Sequence, residues 1–162
     1  SSVTGVQTCA LPIFRRFTGQ DYLDDLVAGN FAACVAWSGD VAQLARENPD
    51  IGFAVPDEGG LLWADCMVVP KGATHIANAA AFMDFVYDPV NAARIAAAVQ
   101  YVSPVVGVAE ELRRLGGEAA ALADSPVLFP DAATAARLRT FGPLSESDEA
   151  SLEEAFARIA GT

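Results

Sequence analysis

The sequence predicts an α/β fold, a parallel-type sheet flanked by helices, on three observations. Strand-length apolar runs alternate with helical patterns over the first half of the chain, and amphipathic helices take over in the second. The third is the stretch GGLLWADCMVVPKGA, residues 59–73. Its middle, residues 62–69, is apolar enough for an inner strand, and Pro70 ends it because proline cannot donate to a ladder. Three or four strands beside so many late helices make an unbalanced domain, so the pattern is that of part of a larger fold.

The elements follow in order. Thr18 with Asp21 forms a capping-box-like start, and Tyr22, Leu23, Leu26 and Val27 supply the apolar stripe of a short helix that Gly29 stops. FAACVAW, residues 31–37, reads as a buried strand. Ser38 is placed to cap a helix over residues 41–47, with Asp40 at the positive end of its dipole. IGFAVP is a further strand, and Asp57-Glu58-Gly59-Gly60 is the turn into the central run. Past Pro70, Thr74 is expected to cap a helix to Tyr87. Asp88-Pro89 starts the next, an N-cap aspartate with proline at the first helical position. YVSPVVG is loop, residues 108–115 are helical, Gly116-Gly117 breaks them, and residues 118–123 add a turn. SPVLFPD reads as extended, Asp131 caps a short helix to Leu138, FGPLS is irregular, and Ser145 with Asp148 opens a final amphipathic helix.

Composition limits the partners. The 162 residues are 52% hydrophobic and 19% charged with a formal net charge of −11. Nucleic acid and anionic membrane surfaces both need a basic face, which this chain lacks. A cationic ligand would be steered favourably, although an acidic surface also serves solubility. Cys9, Cys34 and Cys66 are too scattered for a disulfide framework, and a single histidine, His75, leaves no zinc set. Cys34 and Cys66 lie in apolar runs, where cysteine behaves as a small buried hydrophobe. No run is long and apolar enough to span a bilayer, and the first residues carry no secretory signal pattern. The opening string SSVTGVQTCALPIF fits neither helix nor strand. GVQTCALPI resembles translated sequencing-adapter read-through, so residues 1–13 are expected to be foreign and the native gene to continue upstream.

One residue breaks the apolar run. Asp65 follows Trp63 by two, so in a strand both side chains point the same way, about 7 Å apart along the chain. An indole face beside a carboxylate suits an organic ammonium group, the ring offering its quadrupole and the carboxylate its charge. The alternative is a core tryptophan with an aspartate that merely caps a turn.

Further motifs bear on that choice. AWSGD, VPDEGGLLWADCMVVPKGA, AAAFMDFVYDPVNAARIAAAVQYVSP, LFPDAAT and the terminal amphipathic helix resemble, in order and spacing, the C-terminal part of the bacterial spermidine/putrescine-binding proteins. These are extracytoplasmic receptors of polyamine ABC importers. The resemblance implies part of a two-lobed periplasmic-binding-protein-like fold, with residues 15–62 and 113–162 in one lobe and 63–112 crossing into the other. It implies Trp37, Trp63 and Tyr101 as aromatics packing on the methylenes of a polyamine, and Asp65 as a carboxylate pairing with an amine; for Asp40 a second amine contact stands as the alternative to its place on the helix dipole. It further implies no cofactor or metal, permease subunits as partners, a monomeric full-length receptor, and a periplasmic or extracytoplasmic location with a signal peptide upstream. Where family members carry a glutamine and an asparagine after the short helix, this chain has Thr140 and Phe141, so one polar contact is expected to be missing and the amine is left open. Three rivals remain: a receptor for another organic cation, a thiol enzyme using Cys34 or Cys66 with His75, and a purely structural module with no ligand. Apolar surroundings, which raise a thiol pKa, weigh against the second.

Overall fold

The computed structural model describes residue 17 and residues 19–160. The expectations for residues 1–13, Cys9 and Thr18 lie outside that range. The described chain forms two compact units, one of the residues up to Tyr22 with those from Phe141 on, the other of Leu23–Thr140.

In the larger unit, α1 (Tyr22–Val27, its first residue shared with the other unit) ends at Gly29, which takes φ 69°. Then come α2 (Ser38–Glu47), β1 (Gly60–Leu61), α3 (Ile76–Tyr87), α4 (Pro89–Val99), α5 (Val108–Leu115), α6 (Gly117–Leu122), α7 (Ala132–Arg137) and β2 (Leu138–Arg139). The core lies where α4, α5 and α6 meet: Ala92, Ala93 and Ala96 of α4 pack against Val108, Leu112 and Ala123. Alanines along the contacting face of α4 keep side-chain bulk low there, which permits a short interaxial distance. Phe129 and Leu122 close the edge of this cluster.

Helix starts follow local chemistry. Asp88 Oδ1 accepts from the Val90 and Asn91 amides at 3.0 and 3.2 Å, with Pro89 at the first helical position. Asp131 Oδ1 accepts from Thr134 N at 2.7 Å. The smaller unit holds α8 (Glu146–Ala160), where Ser145 Oγ accepts from Asp148 N at 3.2 Å and donates to Asp148 Oδ2 at 2.7 Å. Phe17 packs edge-on against Phe156 of α8, ring centroids 5.0 Å apart.

The sheet differs from expectation. Among the described residues the only ladder is a parallel pair, Gly60 opposite Leu138 and Leu61 opposite Arg139, extended by Leu62 N donating to Arg139 O at 2.8 Å. Residues 31–37, 51–56 and 63–69 pair with nothing in a ladder. Apolar pattern marks a segment as strand-like, but a strand exists only where a second segment meets its amides and carbonyls. Residues 51–56 keep the strand period nonetheless: Ile51, Phe53 and Val55 are half-buried while Gly52, Ala54 and Pro56 are exposed. Residues 63–69 are exposed on both faces, and Val35 is fully so.

Smaller corrections have local causes. Helix α2 begins at Ser38 with Trp37 as N-cap and no side-chain cap bond, so Ser38 is helical and not the cap. Helix α3 starts after His75, one residue later than a Thr74 cap would put it. SPVLFPD is a turn, not extended: Phe129 N donates to Ser125 O at 2.9 Å, which drives Leu128 into the interior at 1% exposure. Cys34 and Cys66 are exposed because the runs that hold them lack the sheet that would cover them.

Candidate functional site

Trp37, Trp63, Asp65 and Tyr101 all belong to the larger unit. Trp63 and Asp65 sit just past β1, where the chain leaves the ladder still extended. The indole Nε1–H of Trp63 donates to Asp65 Oδ1 at 3.2 Å, so the two side chains share one side of the chain. Trp63 is 55% exposed, within a run, residues 61–70, that is exposed throughout. Its indole meets that of Trp37, centroids 6.4 Å apart and planes at 66°. This edge-to-face arrangement suits two ring quadrupoles and leaves part of each face open. Trp37 is itself 47% exposed.

Trp37 immediately precedes α2, whose first turn carries Asp40. Sequence reading treats Asp40 as a charge that suits the helix dipole. The structure gives it a further partner: Tyr101 Oη donates to Asp40 Oδ1 at 2.7 Å. Tyr101 follows Gln100, which ends α4 in the left-handed region at φ 57°. Gln43 of α2 reaches Val99 O at 3.2 Å, fastening α2 to the same end of α4. The chain thus joins the two tryptophans and Asp65 directly, and joins Tyr101 to them through Asp40 and the first turn of α2.

Asp65 engages the indole through Oδ1. A carboxylate accepts at both oxygens, so that bond leaves capacity for an ammonium donor. Two partly open indoles with a carboxylate at their rim can hold an alkylammonium group by cation–π attraction and charge-assisted hydrogen bonding. The rival chemistry is poorly served. What burial the Cys34 thiol has pushes its pKa up, away from the thiolate a nucleophile needs. His75 is exposed at the start of α3. Among the described residues no cluster of three His, Cys, Asp or Glu could hold a metal. No described helix is long and apolar enough to cross a membrane. Thr140 and Phe141, where a polar contact is expected to be missing, fall on either side of the boundary between the two units.

Comparison with known proteins gives a consistent set. The chain is 30% identical to a putrescine/cadaverine-binding protein of Pseudomonas aeruginosa, over 93% of this chain and 42% of that protein. It is 25% identical to the putrescine-binding periplasmic protein PotF of Escherichia coli, over 80% of this chain and 35% of the relative. It is also 36% identical to a norspermidine sensor of Vibrio cholerae, over 46% of this chain and 21% of the sensor. The chain therefore spans at most about two fifths of the length of these curated relatives. No solved structure matches it. The sequence model described as bacterial extracellular solute-binding protein matches residues 8–128, three quarters of the chain, and to that family this chain belongs.

Proposed function

We propose that the chain is the C-terminal part of a two-lobed polyamine receptor, the substrate-binding component of an ABC importer, working outside the cytoplasm. The observation that carries this is the exposed Trp37–Trp63 pair with Asp65 hydrogen-bonded at its rim. A polyamine is a flexible chain of methylenes between ammonium groups, so its binding must offset both chain ordering and desolvation of charge. Flat aromatics along the methylenes and one carboxylate per amine meet that demand. In this reading Trp37, Trp63 and Tyr101 line the cleft and Asp65 takes an amine. The names of the relatives, which bind putrescine, cadaverine or spermidine, support the same ligand class.

The architecture of the proposal divides the chain at the central run. Residues 15–62 and 113–162 belong to one lobe, and 63–112 cross into the other, so the segment carrying Trp63 and Asp65 runs over the hinge. Extended segments without ladder partners support this reading, since their neighbours would come from the rest of a receptor of the relatives' length. Closure on the ligand creates the shape that permease subunits recognise, and no chemical step is involved. The receptor is a monomer that reaches the periplasm or cell surface through an upstream signal peptide.

The test is thermal. Putrescine, cadaverine, spermidine and a quaternary ammonium control are each added to the intact receptor. A ligand at 100 times its Kd adds about 2.7 kcal/mol of stability, several degrees in melting temperature. A shift with the control and none with the primary amines moves the assignment to another organic cation; no shift with any of them defeats it. The isolated 162-residue chain is expected not to bind with the receptor's affinity, and micromolar binding by it contradicts the two-lobed reading.

A further inference from the structure

Gly39 is buried in the first turn of α2, between Trp37 and Asp40. Its backbone is ordinary helix, so no positive φ calls for glycine there. Space does. A Cβ at this position would fall 2.3 Å from Cδ2 and Cε2 of Tyr101 and 2.7 Å from its Cγ. The whole edge of the ring lies over the glycine, close to its attachment point, so a small swing of the ring tip cannot clear it. The other end of the ring is fixed too, by the 2.7 Å bond from Oη to Asp40 Oδ1. Glycine inside a helix is destabilising relative to alanine, so a reason for it must lie in what rests on it.

We propose that Gly39 is a positioning residue: it is the seat on which the Tyr101 ring lies flat, and the seat together with the Asp40 bond holds that ring where the proposed amine site uses it. Three links make the argument. The missing Cβ lets the ring approach the α2 backbone, and the approach brings Oη into line with Asp40. The bond then fixes the ring tip to a group only three residues from Trp37. The ligand half of this proposal rests on the polyamine reading; the seat does not.

The experiment separates the two. Ring resonances of Tyr101, assigned in ligand-free receptor by comparison with Tyr101→Phe, are expected to move in Gly39→Ala and in Asp40→Asn. Unmoved resonances in Gly39→Ala overturn the seat. Putrescine titration of Gly39→Ala is expected to show at least a tenfold weaker Kd. In a Tyr101→Ala background, where the ring no longer occupies the space, the same substitution is expected to change Kd less than twofold and to raise the melting temperature. Equal losses in both backgrounds overturn the idea that Gly39 acts through Tyr101. Should Gly39→Ala alone fail to fold, recovery of the fold in Gly39→Ala/Tyr101→Ala supports the seat and continued failure refutes it. A wild-type receptor without affinity for any polyamine defeats the functional reading, while the ring resonances still decide the seat.

Discussion

Replacing Asp65 by asparagine separates charge from shape at the proposed amine site. Asparagine keeps an Oδ1 that can accept from Trp63 Nε1, so the 3.2 Å bond that aligns the indole survives. Only the negative charge goes. Two magnitudes compete. Trp63 and Asp65 are both exposed, and an ion pair formed in such surroundings contributes about 0.2–1 kcal/mol. If a second lobe closes over the site, the pair is desolvated, and removing one partner costs roughly 2–5 kcal/mol. At about 1.4 kcal/mol per factor of ten, that is on the order of 30-fold to several thousand-fold in Kd. Calorimetric titration of putrescine into wild-type and Asp65→Asn receptor distinguishes these cases, and we expect the larger loss. Asp65→Ala should lose somewhat more, because the indole then loses its acceptor as well. A change of less than fivefold in Asp65→Asn would mean that the carboxylate stays in solvent when ligand is bound, and the jaw-like closure would be wrong.

The structure supports three further expectations. Asp88→Ala removes the acceptor for two α4 amides and should cost about 1 kcal/mol, up to about 2, in urea unfolding, with Asp88→Asn close to wild type. Gly59→Ala should be worse: φ is +109°, and a Cβ would stand 2.3 Å from Arg137 O, so a loss of roughly 1–3 kcal/mol is expected, with faster exchange of the Leu62 amide that bonds Arg139. Asp131 gives a pH signature. The Thr134 amide holds its carboxyl below the usual carboxylate range. A depressed folded pKa means the cap stabilises above the unfolded value, near 3.9, and is lost as pH falls through the folded one. Melting temperature of Asp131→Asn should therefore fall less steeply below about pH 4 than that of wild type; identical slopes would contradict the assignment.

What could be read from the sequence divides by the range of the interaction. The helix starts at Asp88-Pro89, Asp131 and Ser145/Asp148 were legible because donor and acceptor lie within three residues of each other. The ladder was not. Leu138–Arg139 carries no strand signal of its own and pairs only because Gly59 lets the chain pass close to Arg137. Arg137 then fastens that approach, its Nε reaching Pro56 O at 3.3 Å. Apolar runs at residues 31–37 and 62–69 announced burial in a sheet but could not name their neighbours, and the described chain supplies only one.

The candidate site shows the same division and gives it functional meaning. Trp63 and Asp65 are two apart, so backbone alternation alone puts them on one side, and the hydrogen bond between them is a local result. The Trp37–Trp63 contact spans 26 positions and the Tyr101–Asp40 bond spans 61, and no local pattern predicts either. Both long-range contacts nevertheless converge on the start of α2, at Trp37 and Asp40. The tryptophans are about half exposed, Trp63 within a run that is exposed throughout. An acceptor held at the rim of an indole pair, as Asp65 is, would lower the ordering cost for a flexible cation in the proposed site.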